Sequence, residues 1–331
     1  VAGFGFGPSA NASSSAPLFF VERANGYIFQ ADTGAQQVSR ITNTLMPKVY
    51  EAYFGASGTF ALLRSLDENG SITTFAATFL TDDATTTPQA LQGSYWSAGI
   101  LDVALDSKGG VFTLTADGAS GGSIGSTRLA DGSKETRMFS SFIRSWHPLY
   151  GKDGLVLLTK PSDDIPGYAY RVGTNGALLP LTAPLPGLSV LPHPTQSALL
   201  YSGSGGGQLR LFVQVGTADA IGIELQTVAD KCVWAPSVGK SPSGQAGAPL
   251  IVYCAVPSRI ASATFLNDWY RGALHTEDSW WKIDAATGEA ELVFTPPSPL
   301  DVQKPVIDES GAFIAFVNGN DQSLWVLRLV Q

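Results

Sequence analysis

Charged side chains are scarce in this chain of 331 residues: Asp, Glu, Lys and Arg make up 15% of it, against about a quarter in ordinary globular proteins. The net charge is −8 and Lys and Arg form no cluster, so we expect no binding to nucleic acid or to an anionic membrane surface. No apolar run reaches the ~18 residues of a membrane-spanning helix, so we expect no direct membrane insertion of this chain. Helical periodicity is almost absent as well, which argues against a helical fold.

Only two cysteines are present, Cys232 and Cys254. No Cys or His companions stand at ligand spacing, so we predict no metal site, and the sequence indicates no cofactor. A cysteine pair in a Ser/Thr/Gly-rich chain favours an oxidising compartment, and we expect an extracellular, cell-surface or periplasmic protein. The chain begins with Val, and 9–17 (SANASSSAP) is small and polar. We therefore expect a flexible loop there and an absent upstream signal or anchor segment that tethers the protein.

The chain is rich in short β-branched and aromatic runs, separated by Gly, Asp, Asn and Ser turns about every 8–12 residues, as in sandwiches, barrels and propellers. One class of turn precedes each buried-looking strand, and a second class follows about 22 residues later. The pattern therefore repeats every ~42–46 residues, as expected for four-stranded propeller blades. The first class comprises Gly55–Gly58, Asp106–Gly110, Gly151–Gly154, His193–Ser197 and Asp308–Gly311.

Seven blade starts can be counted along the chain. We predict an all-β fold, a seven-bladed β-propeller of four-stranded antiparallel blades forming a single domain over 1–331, with six blades as the alternative. The last blade lacks an outer strand, and we expect residues upstream of Val1 to supply it. The predicted starts are Val1, Val49, Ile100, Phe142, Leu188, Lys231 and the PVID sequence at 305–308.

The repeats carry a resemblance to known propellers. The units DESGAFIAFVN and HPTQSALLYS resemble the SPDG-type repeats of TolB-like and WD40-like propellers, over essentially the whole chain. Other segments resemble uncharacterised, membrane-anchored surface propeller proteins of candidate-phyla bacteria, namely VERANGYIF, RITNTLMPKVYEA, KCVW, YCAVP, NDWYRG and SLWVLRL. This resemblance implies an N-terminal signal anchor and an exported propeller. It implies no activity, and therefore no catalytic residues.

The two cysteines fall in adjacent antiparallel strands of blade 6, Cys232 in strand A and Cys254 in strand B. Equal steps back from a turn centred near residue 243 place them opposite each other, so we predict a cross-strand disulfide that contributes ~3 kcal/mol. Two reduced, buried thiols are the alternative.

A long insertion, 257–279, separates strands B and C of blade 6. The B–C and D–A connections share one face of a propeller, so we expect the insertion to lie over the mouth of the central channel. Tyr, Trp and Arg concentrate binding energy at interfaces, and this face is predicted to be rich in them. From the insertion we select Asn267, Asp268, Trp269, Tyr270, Arg271 and His275, and from the strand starts Tyr50, Glu51, Tyr95, Trp96, Arg144, Trp146, Lys231 and Trp234.

Three interpretations of the insertion remain open: a plug that packs its aromatic residues inward, a binding surface, or a catalytic lid. We expect a binding or scaffold module, monomeric by itself, for a glycan, a peptide or an envelope protein. A hydrolase or lyase is the alternative, with Arg144, His147, Glu51 and Lys231 as acid and base groups in the channel. A structural subunit of a surface assembly is the third. Fold alone does not decide between them.

Some polar residues are predicted to have ordinary roles. His193 is interpreted as a turn residue and His147 as a structural histidine, since no motif pairs either with a nucleophile. The carboxylate pairs Asp82-Asp83, Asp163-Asp164 and Glu277-Asp278 fall in predicted loops, where we expect solvated charge.

Overall fold

The strands in the described part of the chain form eight antiparallel sheets, of which seven are the blades of a β-propeller and one is a two-stranded ladder. The computed structural model describes residues 1–9, 16–80, 87–205, 207–237, 249–260 and 262–329. The predicted all-β, seven-bladed fold is confirmed, and the six-blade alternative is wrong. Most of the predicted flexible segment 9–17, and the pair Asp82-Asp83, lie outside the described residues. The described part of the chain holds no helix with the length and hydropathy that a membrane crossing requires.

Two compact units are distinguished, and the prediction of a single domain stays a prediction. The first unit comprises Val1–Pro148, Thr174–Gly176 and Asp308–Phe313. It holds blades 1 to 3, each with four strands in chain order. Blade 1 contains β1 Gly3–Phe6, β2 Pro17–Val21, β3 Ile28–Asp32 and β4 Gln37–Arg40; blade 2 contains β5 Val49–Phe54, β6 Phe60–Leu66, β7 Ile72–Thr78 and β8 Gln92–Tyr95; blade 3 contains β9 Ile100–Leu105, β10 Gly110–Ala116, β11 Ser123–Leu129 and β12 Thr136–Ser141.

The second unit comprises Leu149–Gly173, Ala177–Ile307 and Ile314–Gln331. It holds most of blades 4 to 7, and three strands of blade 7 lie in the described residues. Blade 4 contains β13 Trp146–Gly151, β14 Gly154–Thr159, β16 Ala169–Val172 and β17 Leu178–Pro180, beside a small ladder of β15 Pro166–Gly167 with β18 Leu185–Pro186; blade 5 contains β19 Ser189–Pro192, β20 Ala198–Gly205, β21 Gln208–Val215 and β22 Ile221–Ile223; blade 6 contains β23 Cys232–Trp234, β24 Ile251–Pro257, β25 Asp278–Asp284 and β26 Ala290–Phe294; blade 7 contains β27 Val302–Ile307, β28 Phe313–Asn318 and β29 Leu324–Arg328. Among the residues listed above as described, the helices are a 3₁₀ turn, Ala229–Lys231, and α1, Phe265–Tyr270.

The second strand of each blade is buried on both faces. The sequence of such a strand is a continuous run of mostly apolar residues and does not alternate between apolar and polar ones. In β6 (FALLRSL) the first six residues are buried. Neighbouring blades bury these strands against each other within each unit. In the first unit Phe19, Val49 and Leu63 pack in one cluster, and in the second Leu200 of blade 5 and Val252 of blade 6 do so.

The turns that open strand B are built on a side chain that accepts backbone hydrogen bonds, which stabilises a tight turn. Asp106 Oδ1 accepts from the N–H groups of Lys108 at 2.8 Å and Gly110 at 2.7 Å. His193 takes the same role in blade 5, where its Nδ1 accepts from Thr195 N–H at 3.1 Å and Gln196 N–H at 3.0 Å. His193 is therefore a turn residue, as predicted.

The disulfide between Cys232 and Cys254 is present. The two residues are direct partners in the register of β23 and β24, with their Cα atoms 4.0 Å apart. Both side chains are buried in the core of the second unit. The prediction from equal steps around the turn is confirmed.

Candidate functional site

The predicted insertion in blade 6 lies between β24 and β25 and carries the short helix α1. The insertion was predicted to be a loop, and the helix corrects that prediction. The helix ends in a Schellman motif, in which Gly272 N–H bonds to the Trp269 carbonyl at 2.9 Å and Ala273 N–H to the Asp268 carbonyl at 2.9 Å. Gly272 has a φ of 70°, a left-handed conformation that glycine adopts at little cost. The sequence RGAL therefore fixes the end of the helix.

One side of α1 is buried. Phe265, Leu266 and Trp269 pack in a cluster with Leu209 and Val228. A helix of six residues is not stable by itself, so this packing holds it in place. The burial of Trp269 is what the plug interpretation predicts for this residue.

Beneath α1, the ammonium group of Lys231 is completely buried and shared by two carboxylates. Its Nζ lies 2.6 Å from Asp278 Oδ2 and 2.8 Å from Asp301 Oδ1, and both carboxylate side chains are fully buried too. Thr276 Oγ1 at 2.8 Å and the Val302 carbonyl at 3.0 Å complete its surroundings. We call Lys231, Trp269, Thr276, Asp278 and Asp301 the Lys231 cluster.

Trp269 joins this cluster to the helix. Its indole N–H donates to Asp301 Oδ1 at 2.8 Å, and Lys231 Nζ lies 4.6 Å from the centre of its ring. A cation over an indole ring is attracted by the negative ring face, most strongly when both are desolvated. The position of α1 is therefore fixed by charge as well as by packing.

The two carboxylates of the cluster differ in pKa. Burial raises the pKa of Asp278, against the opposing effect of Lys231. Burial also acts to raise the pKa of Asp301, but the charge of Lys231 and hydrogen bonds from Lys231, Trp269 and His275 outweigh it, and that pKa is lowered. Negative charge is therefore held most firmly on Asp301.

The cluster bears on two expectations. Lys231 was selected for the surface at the channel mouth, and Asp278 was predicted to be a solvated loop charge; both are buried, so the prediction for Asp278 is wrong. Lys231 is tolerated in the interior because two carboxylates lie against it, and Asp278 because Lys231 donates a hydrogen bond to it. Asp163 and Asp164 are not simply solvated either: Asp163 Oδ2 accepts from Asn267 N–H at 2.9 Å and Asp164 Oδ2 from Asn267 Nδ2 at 3.2 Å.

Tyr270 at the end of α1, and Arg271 and His275 in the segment that follows it, are exposed, and we call these three residues the outer face. Tyr270 is 39% exposed, and its hydroxyl donates to Asp230 Oδ2 at 2.7 Å. Burial of that hydroxyl and the nearby Asp230 carboxylate raise the pKa of Tyr270 well above its usual range. The ring is therefore held by its hydroxyl end while the rest reaches solvent.

Arg271 and His275 are oriented in a similar way. The Arg271 side chain is 70% exposed and pairs with Asp268, and its Nε donates to the Asn267 carbonyl at 3.0 Å. His275 Nδ1 lies 3.0 Å from Asp301 Oδ2, with 39% of its side chain exposed. Five of the six residues selected from the insertion thus belong to its exposed or half-exposed side, and Trp269 belongs to the interior.

Two other residues selected for the same surface lie in the core, and a third, Trp96, is half-buried. Trp234 is 3% exposed, and its indole N–H donates to the Leu191 carbonyl at 3.0 Å. Trp146 is 3% exposed and donates to Ser141 Oγ at 3.0 Å. Trp96 stacks beneath the Arg128 guanidinium at 4.9 Å. These contacts give the three tryptophans packing roles, and their predicted binding role stays a prediction.

In the first unit, a second buried cation gathers several of the predicted residues. Arg64, 2% exposed, pairs with Glu51 Oε2 at 2.6 Å and lies 4.0 Å from Asp102 Oδ1. His147 Nδ1 lies 3.0 Å from Asp102 Oδ2, and the Tyr50 ring lies 5.8 Å from the Arg64 guanidinium carbon. Glu51, Tyr50 and His147 are thus connected through Arg64 and Asp102, which the sequence analysis missed.

Two other residues of this unit stand apart from that group. Arg144 is exposed, and within the described ranges its side chain makes no hydrogen bond or ion pair. Tyr95 is 60% exposed and packs edge-on against Phe75 at 4.9 Å. The one sequence signal for the missed residues was Arg64 itself, a charge in the middle of the apolar run of β6.

No protein-family model matches the chain, and no curated protein matches it in sequence. Solved structures do match. The uncharacterized protein lmo1340 from Listeria monocytogenes is 12% identical with a TM-score of 0.56, covering 100% of this chain and 95% of its own. An oligogalacturonate lyase from Vibrio parahaemolyticus is 7% identical with a TM-score of 0.56, over 98% of this chain and 95% of its own.

The β-propeller domain of the Trilobed protease from Pyrococcus furiosus is similar as well, 9% identical with a TM-score of 0.56 over 95% of this chain and 90% of its own. The likeness is one of fold. It confirms the propeller part of the resemblance seen in the repeats. The closer resemblance to surface proteins of candidate-phyla bacteria stays a prediction.

Proposed function

We propose that this chain is an exported binding module whose partner docks on the outer face, at and just after the end of α1. The observation that carries the proposal is that the helix next to this face is fixed by hydrogen bonds to two neighbouring parts of the second unit. Trp269 fixes the helix to the Lys231 cluster, and Asn267 ties it to Asp163 and Asp164. A surface ordered before binding loses little conformational entropy when a partner arrives.

The chemistry of the outer face supports a binding role. Tyr and Arg are the residue types that dominate interface energetics. The Tyr270 ring offers a flat apolar surface, and the Arg271 guanidinium offers donors to a carboxylate or a hydroxyl group. A glycan, a peptide and another envelope protein all present such groups, and they are the three partner classes of the proposal.

Export is part of the proposal and is supported by the disulfide. Disulfides persist in oxidising compartments and are rare in the cytosol. We place the protein in the periplasm or at the cell surface, tethered by a segment upstream of this chain.

The proposal is tested with a binding screen of glycans, acidic and neutral peptides, and envelope extracts against the intact chain. Any partner found is then titrated with Tyr270→Ala and Arg271→Ala, for which we expect at least about tenfold weaker binding each, since truncating a central contact typically costs more than 1 kcal/mol. Arg210→Ala, an exposed arginine in β21, is the matched control and should bind as the wild type does. Trp269 is left intact because its loss would report on stability.

A screen without any partner, or a partner that binds both variants as well as the control, contradicts the proposal. A thermal melt of each variant separates loss of binding from loss of fold.

A hydrolase or lyase is the second candidate, and the pair His147 and Asp102 favours it. A carboxylate on Nδ1 orients an imidazole and stabilises its protonated form, as a general acid or base requires. The His147 side chain is 49% exposed, so a substrate can reach it. Oligogalacturonate, named for the Vibrio lyase of the same fold, is the first substrate to test. Activity that is absent, or that survives in His147→Gln, contradicts this candidate.

A further inference from the structure

A cavity of about 210 Å³ lies between blades 4 and 5, away from the residues of the outer face. Blade 4 contributes Lys152 and Asp153 from its A–B turn and Arg171 from β16, and blade 5 contributes His193 and Gln214. The A–B turns leave a blade at the end opposite to the B–C connection that carries α1, so this is a separate place in the second unit. We call it the blade 4–5 cavity.

Two cations line this cavity without a partner. Neither Lys152 nor Arg171 makes a side-chain hydrogen bond or an ion pair with any residue that the structure describes. Arg171 is half-buried and Lys152 is exposed, so a bound anion would supply the counter-charge that neither side chain has among these residues. In a chain of net charge −8, two such cations facing one cavity mark a place suited to an anion.

One carboxylate is also present. Asp153 Oδ1 accepts a hydrogen bond from Ser197 Oγ at 3.1 Å, and it forms no ion pair with either cation among the described residues. The three side chains therefore carry one net positive charge. That balance matches an anion with a single charge better than one with two.

His193 adds a neutral donor. It is 2% exposed, and its Nδ1 accepts two backbone N–H bonds, so the proton of the neutral ring is on Nε2. Burial, and then the positive charge of Lys152, lower the pKa of His193 to about 4. At neutral pH the imidazole is thus uncharged, and its Nε2–H has no partner within the described chain.

We propose that the blade 4–5 cavity binds a small monocarboxylate. The planar guanidinium of Arg171 matches a carboxylate in a two-bond geometry, Lys152 adds a point charge and His193 a further donor. The cavity is smaller than the roughly 300–1,000 Å³ of pockets for drug-sized ligands, so the ligand has only a few carbon atoms. Gln196, Ser197 and Gln214, also in the lining, suit a hydroxyl group on that ligand.

Lactate, lactamide and inorganic phosphate are the probes that test this. We titrate each into the intact chain at low ionic strength, about 0.01 M, where charge interactions are least screened, and follow the imidazole resonances of His193 by NMR. Lactate should give a saturable shift, and lactamide, which lacks the charge, should give none. Phosphate should bind more weakly than lactate.

Two variants test whether lactate binds in the blade 4–5 cavity. Arg171→Gln should weaken lactate binding about tenfold or more, and Lys152→Gln several-fold, as expected when a charge-assisted hydrogen bond or a nearby charge is lost. Lys160→Gln, an exposed lysine outside the cavity, should bind lactate as the wild type does. Lack of a saturable shift, equal binding of lactamide or phosphate, or unchanged affinity in both Arg171→Gln and Lys152→Gln overturns the proposal.

Discussion

Replacing Lys231 by Met removes the one ammonium group that Asp278 and Asp301 share, while the aliphatic stem of the side chain is conserved in volume. Its Nζ lies 2.6 Å and 2.8 Å from the two carboxylates, and all three side chains are fully buried. Breaking a buried ion pair from one side typically costs 3–5 kcal/mol, because the remaining charge is left without compensation. Asp301 keeps its bonds from Trp269 and Thr276, so we expect a loss of about 4 kcal/mol in the free energy of unfolding.

The loss should depend on pH. Burial acts to raise the pKa of both carboxyl groups, and without the opposing charge of Lys231 we expect the pKa of each in the folded protein to lie above its unfolded value. A folded-state pKa above the unfolded one means that the folded state gains protons first, so the variant regains stability as pH falls. In the wild type Asp301 behaves in the opposite way, because its pKa is lowered and its contribution is lost in acid. The difference between the two proteins should therefore shrink from about pH 7 to about pH 5.

Urea unfolding at both pH values measures this difference from the midpoint and the slope of the transition. Lys160→Met removes an exposed lysine and should change the free energy of unfolding by less than about 0.5 kcal/mol. A loss of less than about 1 kcal/mol for Lys231→Met at neutral pH, or a difference that grows in acid, refutes the reasoning, because no buried uncompensated carboxylate would then exist.

Three further predictions concern the disulfide, His193 and Trp269. A reducing agent should lower the urea midpoint of the wild type by the equivalent of ~3 kcal/mol, and it should not change the midpoint of a Cys232→Ser/Cys254→Ser variant. An equal effect of the reducing agent on both proteins would contradict a structural disulfide. The pKa of His193 in the folded protein is lowered to about 4, so its contribution to the free energy of unfolding is complete above about pH 6.5 and is lost, by about 1–3 kcal/mol, as the pH falls toward 4. His193→Asn keeps an acceptor in the turn and should make the free energy of unfolding less dependent on pH. The same pH dependence in both proteins would disprove a buried, neutral His193. Trp269→Phe should lower the free energy of unfolding by about 1–3 kcal/mol, because a buried carboxylate loses a donor, whereas Trp325→Phe, at a 41% exposed position, should have little effect in the same urea experiment.

Patterns within a few residues of the sequence were sufficient to predict the strands, the turns and the disulfide. The side-chain acceptor of a tight turn lies within a few residues of the N–H groups it binds, as at Asp106, and such turns set the blade repeat. Cys232 and Cys254 were placed opposite each other by counting along two neighbouring strands, since register along a hairpin is a local property. The same reasoning failed where the answer depended on which side of a connection faces the interior. Trp146 and Trp234 were expected on a surface because they stand near the starts of the first strands of their blades, and both are buried.

The sequence by itself determined an all-β chain of seven repeated blades, joined across one pair of strands by a disulfide, with an aromatic insertion in blade 6. Only the tertiary structure decided the chemistry around that insertion. Lys231 and Asp301 are 70 residues apart in the chain, and Arg64 and Asp102 come from different blades. Strand period and turn composition act over a few residues, whereas a buried charge is tolerated only where the fold brings its counter-charge to it. A contact between two charges so far apart in the chain cannot be predicted from a local sequence pattern.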